Sequence, residues 1–142
     1  MRSVVIHLVD TKRDAVRERL SEFAGPKAGD QWRYPPGSSK PILYIEFYDD
    51  YEREFEPGEL QPLETALGKM PDVSVIANIS GRTPADTEVR LFAECLLGAF
   101  RGVAQDGYSD HCWTLAEIRS GATIQGHAFF DYEGWFRDTK TG

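Results

Sequence analysis

Three groups of side chains in this chain are of types that do chemistry. The first is Tyr48-Asp49-Asp50-Tyr51-Glu52-Arg53-Glu54-Phe55-Glu56, carboxylates interleaved with aromatics. Aromatic residues anchor protein interfaces, and complementary charge speeds and selects encounter. A surface loop built this way suits a cationic cleft such as the substrate groove of a nuclease. The plainer reading of the same pattern is a solvated loop whose aromatics pack inward.

The second group is Asp106-Gly107-Tyr108-Ser109-Asp110-His111-Cys112-Trp113, with His127 and Asp131 further along. Asp106, Asp110, His111 and Asp131 are of the kinds that hold metals or move protons, and Cys112 is a possible nucleophile. Their spacing speaks against both uses. Zinc sites usually bring ligands in spaced pairs, whereas Asp110, His111 and Cys112 are consecutive and would face alternate sides of a strand. Adjacent Cys and His seldom come within hydrogen-bond reach. Turn bonds from Asp and Ser, with Trp113 in the core, are the structural reading. The third group is a polar sheet face carrying His7, Tyr44, Glu46 and Asn78, on which His7 and Glu46 would make an acid–base pair. A merely solvated or helix-covered face is the simpler outcome. No P-loop, dinucleotide-binding glycine fingerprint, HExxH or GxSxG motif occurs.

Charge separates these groups. The net charge is −7, which disfavours phosphate-backbone binding and permits a basic partner. Between Glu46 and Glu59 seven carboxylates face only Arg53, a balance of −6 in 14 residues, so the other 128 carry −1. The acidity is local. Two cysteines, Cys95 and Cys112, make no disulfide framework. No apolar run reaches the length of a membrane span, and the opening apolar run, broken by His7 and ending at Asp10, reads as a strand rather than a signal peptide. A single domain over residues 1–142 in a reducing cytoplasm is expected.

The elements that must position these groups follow from periodicity. Strands are predicted over 4–9, 42–48 and 73–80, with a short edge strand over 31–34. A helix after Thr11 has Thr11 and Asp14 at capping-box spacing and Val16, Leu20 and Phe23 on one face. A shorter helix spans 58–68. The strongest helix follows Thr83-Pro84, with Val89, Phe92, Ala93, Leu96, Leu97 and Phe100 in one wide stripe and Gly102 as its stop. Residues 103–113 read as a loop or irregular strand. Thr114 and Glu117 form a second capping-box pattern, and 122–132 reads as a last strand or hairpin. Alternating strands imply a sheet covered on one face. The predicted fold is an α+β two-layer sandwich, a mixed or mainly antiparallel sheet of four to five strands with helices on one face. A three-layer α/β arrangement is the alternative.

The runs Asn78-Ile79-Ser80-Gly81-Arg82, Glu88-Val89-Arg90-Leu91-Phe92 and Gly126-His127-Ala128-Phe129-Phe130-Asp131-Tyr132, with Tyr108-Ser109-Asp110-His111-Cys112-Trp113 the most distinctive, resemble small uncharacterised bacterial proteins. Some of that kind are similar to the immunity proteins of polymorphic toxin systems. The resemblance covers the C-terminal half. It implies a cytosolic protein that binds and blocks a cognate toxin, and it transfers no catalytic residue. The acidic segment lies mostly outside it, as a variable recognition surface on a common scaffold would.

The expectation is therefore a protein-binding module rather than an enzyme, an immunity-type inhibitor of a basic toxin or nuclease. Asp49, Asp50, Glu52, Glu54 and Glu56 would meet the cationic site, and Tyr48, Tyr51 and Phe55 would supply buried contact. No cofactor, nucleic acid or membrane is implied. The alternative is a small hydrolase or metal-assisted enzyme using Asp106, Asp110, His111 and Asp131. An assembly subunit with an apolar patch at Trp135 and Phe136 is a third reading.

Overall fold

A computed structural model describes residues 2–49, 57–81, 84–109 and 111–131, without the side chains of residues 57 and 59. The elements are β1 (Arg2–Val9), α1 (Arg13–Ala24), β2 (Trp32–Tyr34), β3 (Leu43–Phe47), α2 (Pro57–Leu67), β4 (Val73–Ile79), α3 (Asp86–Leu97), β5 (Arg101–Gln105) and α4 (Leu115–Ser120). Their strands form one five-stranded sheet of order β2-β3-β4-β1-β5, antiparallel at every pairing. The expected α+β class and the short edge strand at Trp32 both form.

Register sorts the side chains. Pairing of Ile6 with Val75 and Ala104, and of Ile45 with Ala77 and Trp32, puts these residues on one face. There they share a core with Val16 and Leu20 of α1, Val89, Phe92 and Leu96 of α3, and Ile118 of α4. Fully burying a side chain of this size contributes roughly 2 kcal/mol, so the helices are held by their apolar stripes. Trp32 is buried whole and its indole N–H donates to Ser21 Oγ at 3.0 Å, which docks α1 on the β2 edge without an orphaned donor.

The opposite face, predicted to be open, is covered at one corner. Leu63 and Leu67 of α2 pack on Val9 and Val103 in a second, smaller cluster, with Tyr48, Leu60, Met70 and Cys112 around it. The other helices keep to the first face, and α2 crosses to this one because Val9 and Val103 give it an apolar landing.

Three local expectations are corrected. Helix α1 takes Lys12, with no side-chain bond, as its N-cap, so Thr11 and Asp14 stand one residue out of capping register. Helix α3 starts after Ala85 in a left-handed conformation (φ 60°), with Asp86 and Glu88 favourably placed in its first turn and Pro84 outside it; Thr83 lies outside the described residues. That helix ends at Leu97, and Gly102 sits inside β5 opposite Leu8. Of the last strand or hairpin predicted over 122–132, a two-residue hairpin forms: Ile124 and His127 bridge across Gln125 and Gly126, whose positive φ values of 56° and 83° are those of a type I′ turn. No described helix is long and apolar enough to cross a membrane.

Candidate functional site

The acidic segment leaves the end of β3 and meets the start of α2. Tyr48 and Asp49 are its only proposed contact residues within the described region. Asp50, Tyr51, Glu52, Glu54, Phe55 and Glu56 lie outside it, as does Arg53. Tyr48 extends the β3–β4 ladder by one bond, its N–H donating to the Ser74 carbonyl at 2.8 Å. Its ring packs against the second apolar cluster, as the inward-packing reading anticipates.

Asp49 is engaged within the chain. Arg13 of α1 grips it with both guanidinium ends, at 2.6 and 3.0 Å, while lying over the Phe47 ring at 3.9 Å. The hydrogen bond from Arg13 holds the Asp49 carboxyl below the usual carboxylate range. The pair is 47% and 64% exposed, so solvent screening limits it to about 1 kcal/mol or less. Its effect is to place the segment's root. A long-range partner of this kind has no signature in the sequence.

The residues of the metal or hydrolase alternative are spread over separate tasks. Asp106 is buried, and its carboxylate accepts from the N–H groups of Tyr108 at 3.1 Å and Phe130 at 2.9 Å. Burial raises the Asp106 carboxyl, and the backbone donors only partly oppose it. Phe130 has φ 55°, so Asp106 holds a strained backbone and ties the 127–131 segment to the end of β5. His111 Nε2 lies 3.0 Å from both Glu117 oxygens and its ring meets Trp113 edge-on at 4.8 Å. His127 Nδ1 lies 2.9 Å from Asp131 Oδ2. Asp110 lies outside the described residues. Among the described residues, no group of three or more His, Cys, Asp or Glu side chains is arranged to hold a metal ion.

Glu117 was legible as a capping residue and not as the partner of His111. The predicted capping box is complete, with Glu117 N–H donating to Thr114 Oγ1 and Thr114 N–H to the Glu117 carboxylate. Burial pushes the Glu117 carboxyl up, but the Thr114 N–H and His111 outweigh it, leaving it lowered. Removing this carboxylate strips its half of the capping box, the bond from Thr114 N–H, together with the His111 contact. Glu117→Ala is expected to cost about 1–2 kcal/mol in urea unfolding, and Thr114→Ala, which keeps the His111 contact, about 1 kcal/mol.

On the second sheet face His7, Tyr44, Glu46 and Asn78 do share one side, yet His7 and Glu46 are separated by β4. His7 is fully buried, with Nδ1 2.8 Å from Ser74 Oγ and Nε2 3.0 Å from Gln105 Oε1. Gln105 in turn donates toward Cys112 Sγ at 3.7 Å. Glu46 accepts from Gln31 at 3.4 Å. The chain Ser74–His7–Gln105–Cys112 is a structural tie beneath α2.

No protein-family model matches the chain, and neither does a curated protein or a solved structure.

Proposed function

We propose that this protein is a binding module whose acidic segment, residues 46–59, engages a basic protein. Following the resemblance of the C-terminal half, we take it as a cytoplasmic immunity-type inhibitor of a cationic toxin or nuclease. The observation that carries this reading is a balance of −6 confined to 14 residues whose two flanks are fixed to one apolar cluster, Tyr48 on one side and Leu60, Leu63 and Leu67 on the other. A concentrated field steers association and rejects like-charged competitors, and anchored flanks lower the ordering cost of an interface.

Asp49 serves as the anchor through Arg13, so the carboxylates at Asp50, Glu52, Glu54 and Glu56 are the ones assigned to the partner. The experiment compares wild type with the Asp50→Lys, Glu52→Lys, Glu54→Lys variant as baits in native cell extract, reading captured proteins by mass spectrometry. A basic protein held by wild type should fall to about a tenth or less on the variant. Equal capture of that protein by both baits would remove the acidic segment from the interface. Asp49→Lys made alone should weaken capture less than the triple change, because its first consequence is to break the Arg13 pair.

A further inference from the structure

Helix α2 covers the second face of the sheet at the corner where Val9 and Val103 meet Leu63 and Leu67. At the opposite end, where β3 begins and β4 finishes, lies a cavity of about 340 Å³ walled by Gln31, Tyr44, Asn78, Ile79, Ser80 and Gly81. Small-molecule sites run from roughly 300 to 1,000 Å³ and combine an apolar surface with a few convergent polar groups. Tyr44 and Asn78 are register partners across β3 and β4, which sets the ring beside the carboxamide with β-carbons about 5 Å apart. Ser80 extends that ladder, its N–H donating to the Ile42 carbonyl at 2.9 Å, so its side chain falls on the same face as Asn78.

The polar groups of this cavity have bonding capacity to spare. Among the described residues, the Asn78 carboxamide and the Tyr44 and Ser80 hydroxyls have no hydrogen-bond partner, and Gln31 gives only its Nε2 to Glu46, at 3.4 Å. None of the walls is charged. The cleft at the start of α3, by contrast, is lined by Asp86, Arg90 and Asp131. A charged group shedding water needs a countercharge, so the cavity selects a neutral ligand. A carboxamide offers a donor and an acceptor in one plane, the pattern that meets the N6 and N7 edge of adenine, and an aromatic ring stacks on a base. The net charge of −7 disfavours a strand of phosphates, which leaves the nucleoside as the source of the base.

We infer that the pocket between Tyr44 and Asn78 binds a purine nucleoside through its base, adenine fitting best. The base stacks on Tyr44 and pairs its edge with the Asn78 carboxamide, while Ser80 and Gln31 meet the ribose hydroxyls. The site lies at the far end of β3 from the acidic segment and does not depend on it.

The test titrates adenosine into nitrogen-labelled protein and follows the backbone amides by NMR, with ribose as the control ligand. Adenosine should bind with a dissociation constant of about 1 mM or tighter and shift Tyr44, Asn78 and Ser80 first, whereas ribose should shift none of them. Tyr44→Val and Asn78→Val keep a strand-forming residue at each position, and a dispersed spectrum verifies each fold. Each change should weaken adenosine about tenfold. Absence of binding at about ten times that concentration, wild-type affinity in either variant, or equal shifts with ribose overturns the assignment. A short oligoadenylate should bind no more tightly per base than adenosine. Tighter binding by the strand that falls as salt rises would make the ligand a nucleic acid and overturn the nucleoside.

Discussion

Alanine at position 102 is expected to destabilise the protein by about 3 kcal/mol, the upper range for forcing atoms into a filled interior. Gly102 lies in β5 directly opposite Leu8. A β-carbon there would be driven into the His7 carbonyl oxygen and would stand 2.8 Å from Leu8 Cδ2. Its obstacle is backbone of the adjoining strand, so no side-chain rotation relieves it. Strand β5 would have to back away from β1, weakening the ladder and with it the Val103 contact to α2 and the Gln105 contact to His7. A urea titration should show a lower midpoint. If Gly102→Ala unfolds at the wild-type midpoint, the close packing of β5 on β1 is wrong.

The second large effect is acid lability centred on His7. Burial lowers its pKa from 6.5 to about 4, with the hydrogen bond to Gln105 opposing the shift. The unfolded chain therefore takes up this proton at a higher pH than the folded one. The stability in question is fully present above pH 6.5 and is lost as the pH falls from 6.5 toward 4, to the extent of roughly 3 kcal/mol. Asp49 and Glu117, whose carboxyls are lowered, lose their contributions at still lower pH. Asp106, whose carboxyl is raised, acts in the opposite sense and softens the decline. Urea unfolding at pH 7.5, 6 and 4.5 should trace this slope for wild type, and His7→Gln should flatten it between 6.5 and 4.5. Identical slopes in the two proteins would assign the proton to another group.

These two residues also show where sequence reasoning reaches. Strong alternation made β3 and β4 legible, and the wide stripe from Val89 to Leu97 made α3 so, because burial of one face imposes those periods. The capping box at Thr114 and Glu117 was legible because both halves lie within one turn. Strand β5 was not. Arg101, Gly102 and Gln105 lack β-branched side chains, and Gly102 suits a helix end as well as a close approach of two strands. The face taken by α2 was also hidden, since the spacing of Leu60, Leu63 and Leu67 defines an apolar stripe without saying which side of the sheet receives it.

Site residues divide in the same way. Tyr48 packs partly against the α2 cluster, a contact that an aromatic at the end of a strand allows but does not specify. Arg13 gave no sign of its bond to Asp49, 36 residues away, and neither did Asp106 of its hold on Phe130, 24 residues on. Charge and aromatic content suggest that a segment meets a partner. Which of its carboxylates remain available depends on long-range pairs that only the fold makes.

The central claim is that the acidic segment draws in a basic partner, and the most direct measure of it is the association rate of the captured protein as ionic strength is raised. Steering by exposed charge weakens as the Debye length shrinks from about 30 Å at 0.01 M to about 8 Å at 0.15 M. The wild-type rate should fall steeply across that range, and the Asp50→Lys, Glu52→Lys, Glu54→Lys variant should start slower and respond far less. A wild-type rate that ignores salt and matches the variant would contradict the account.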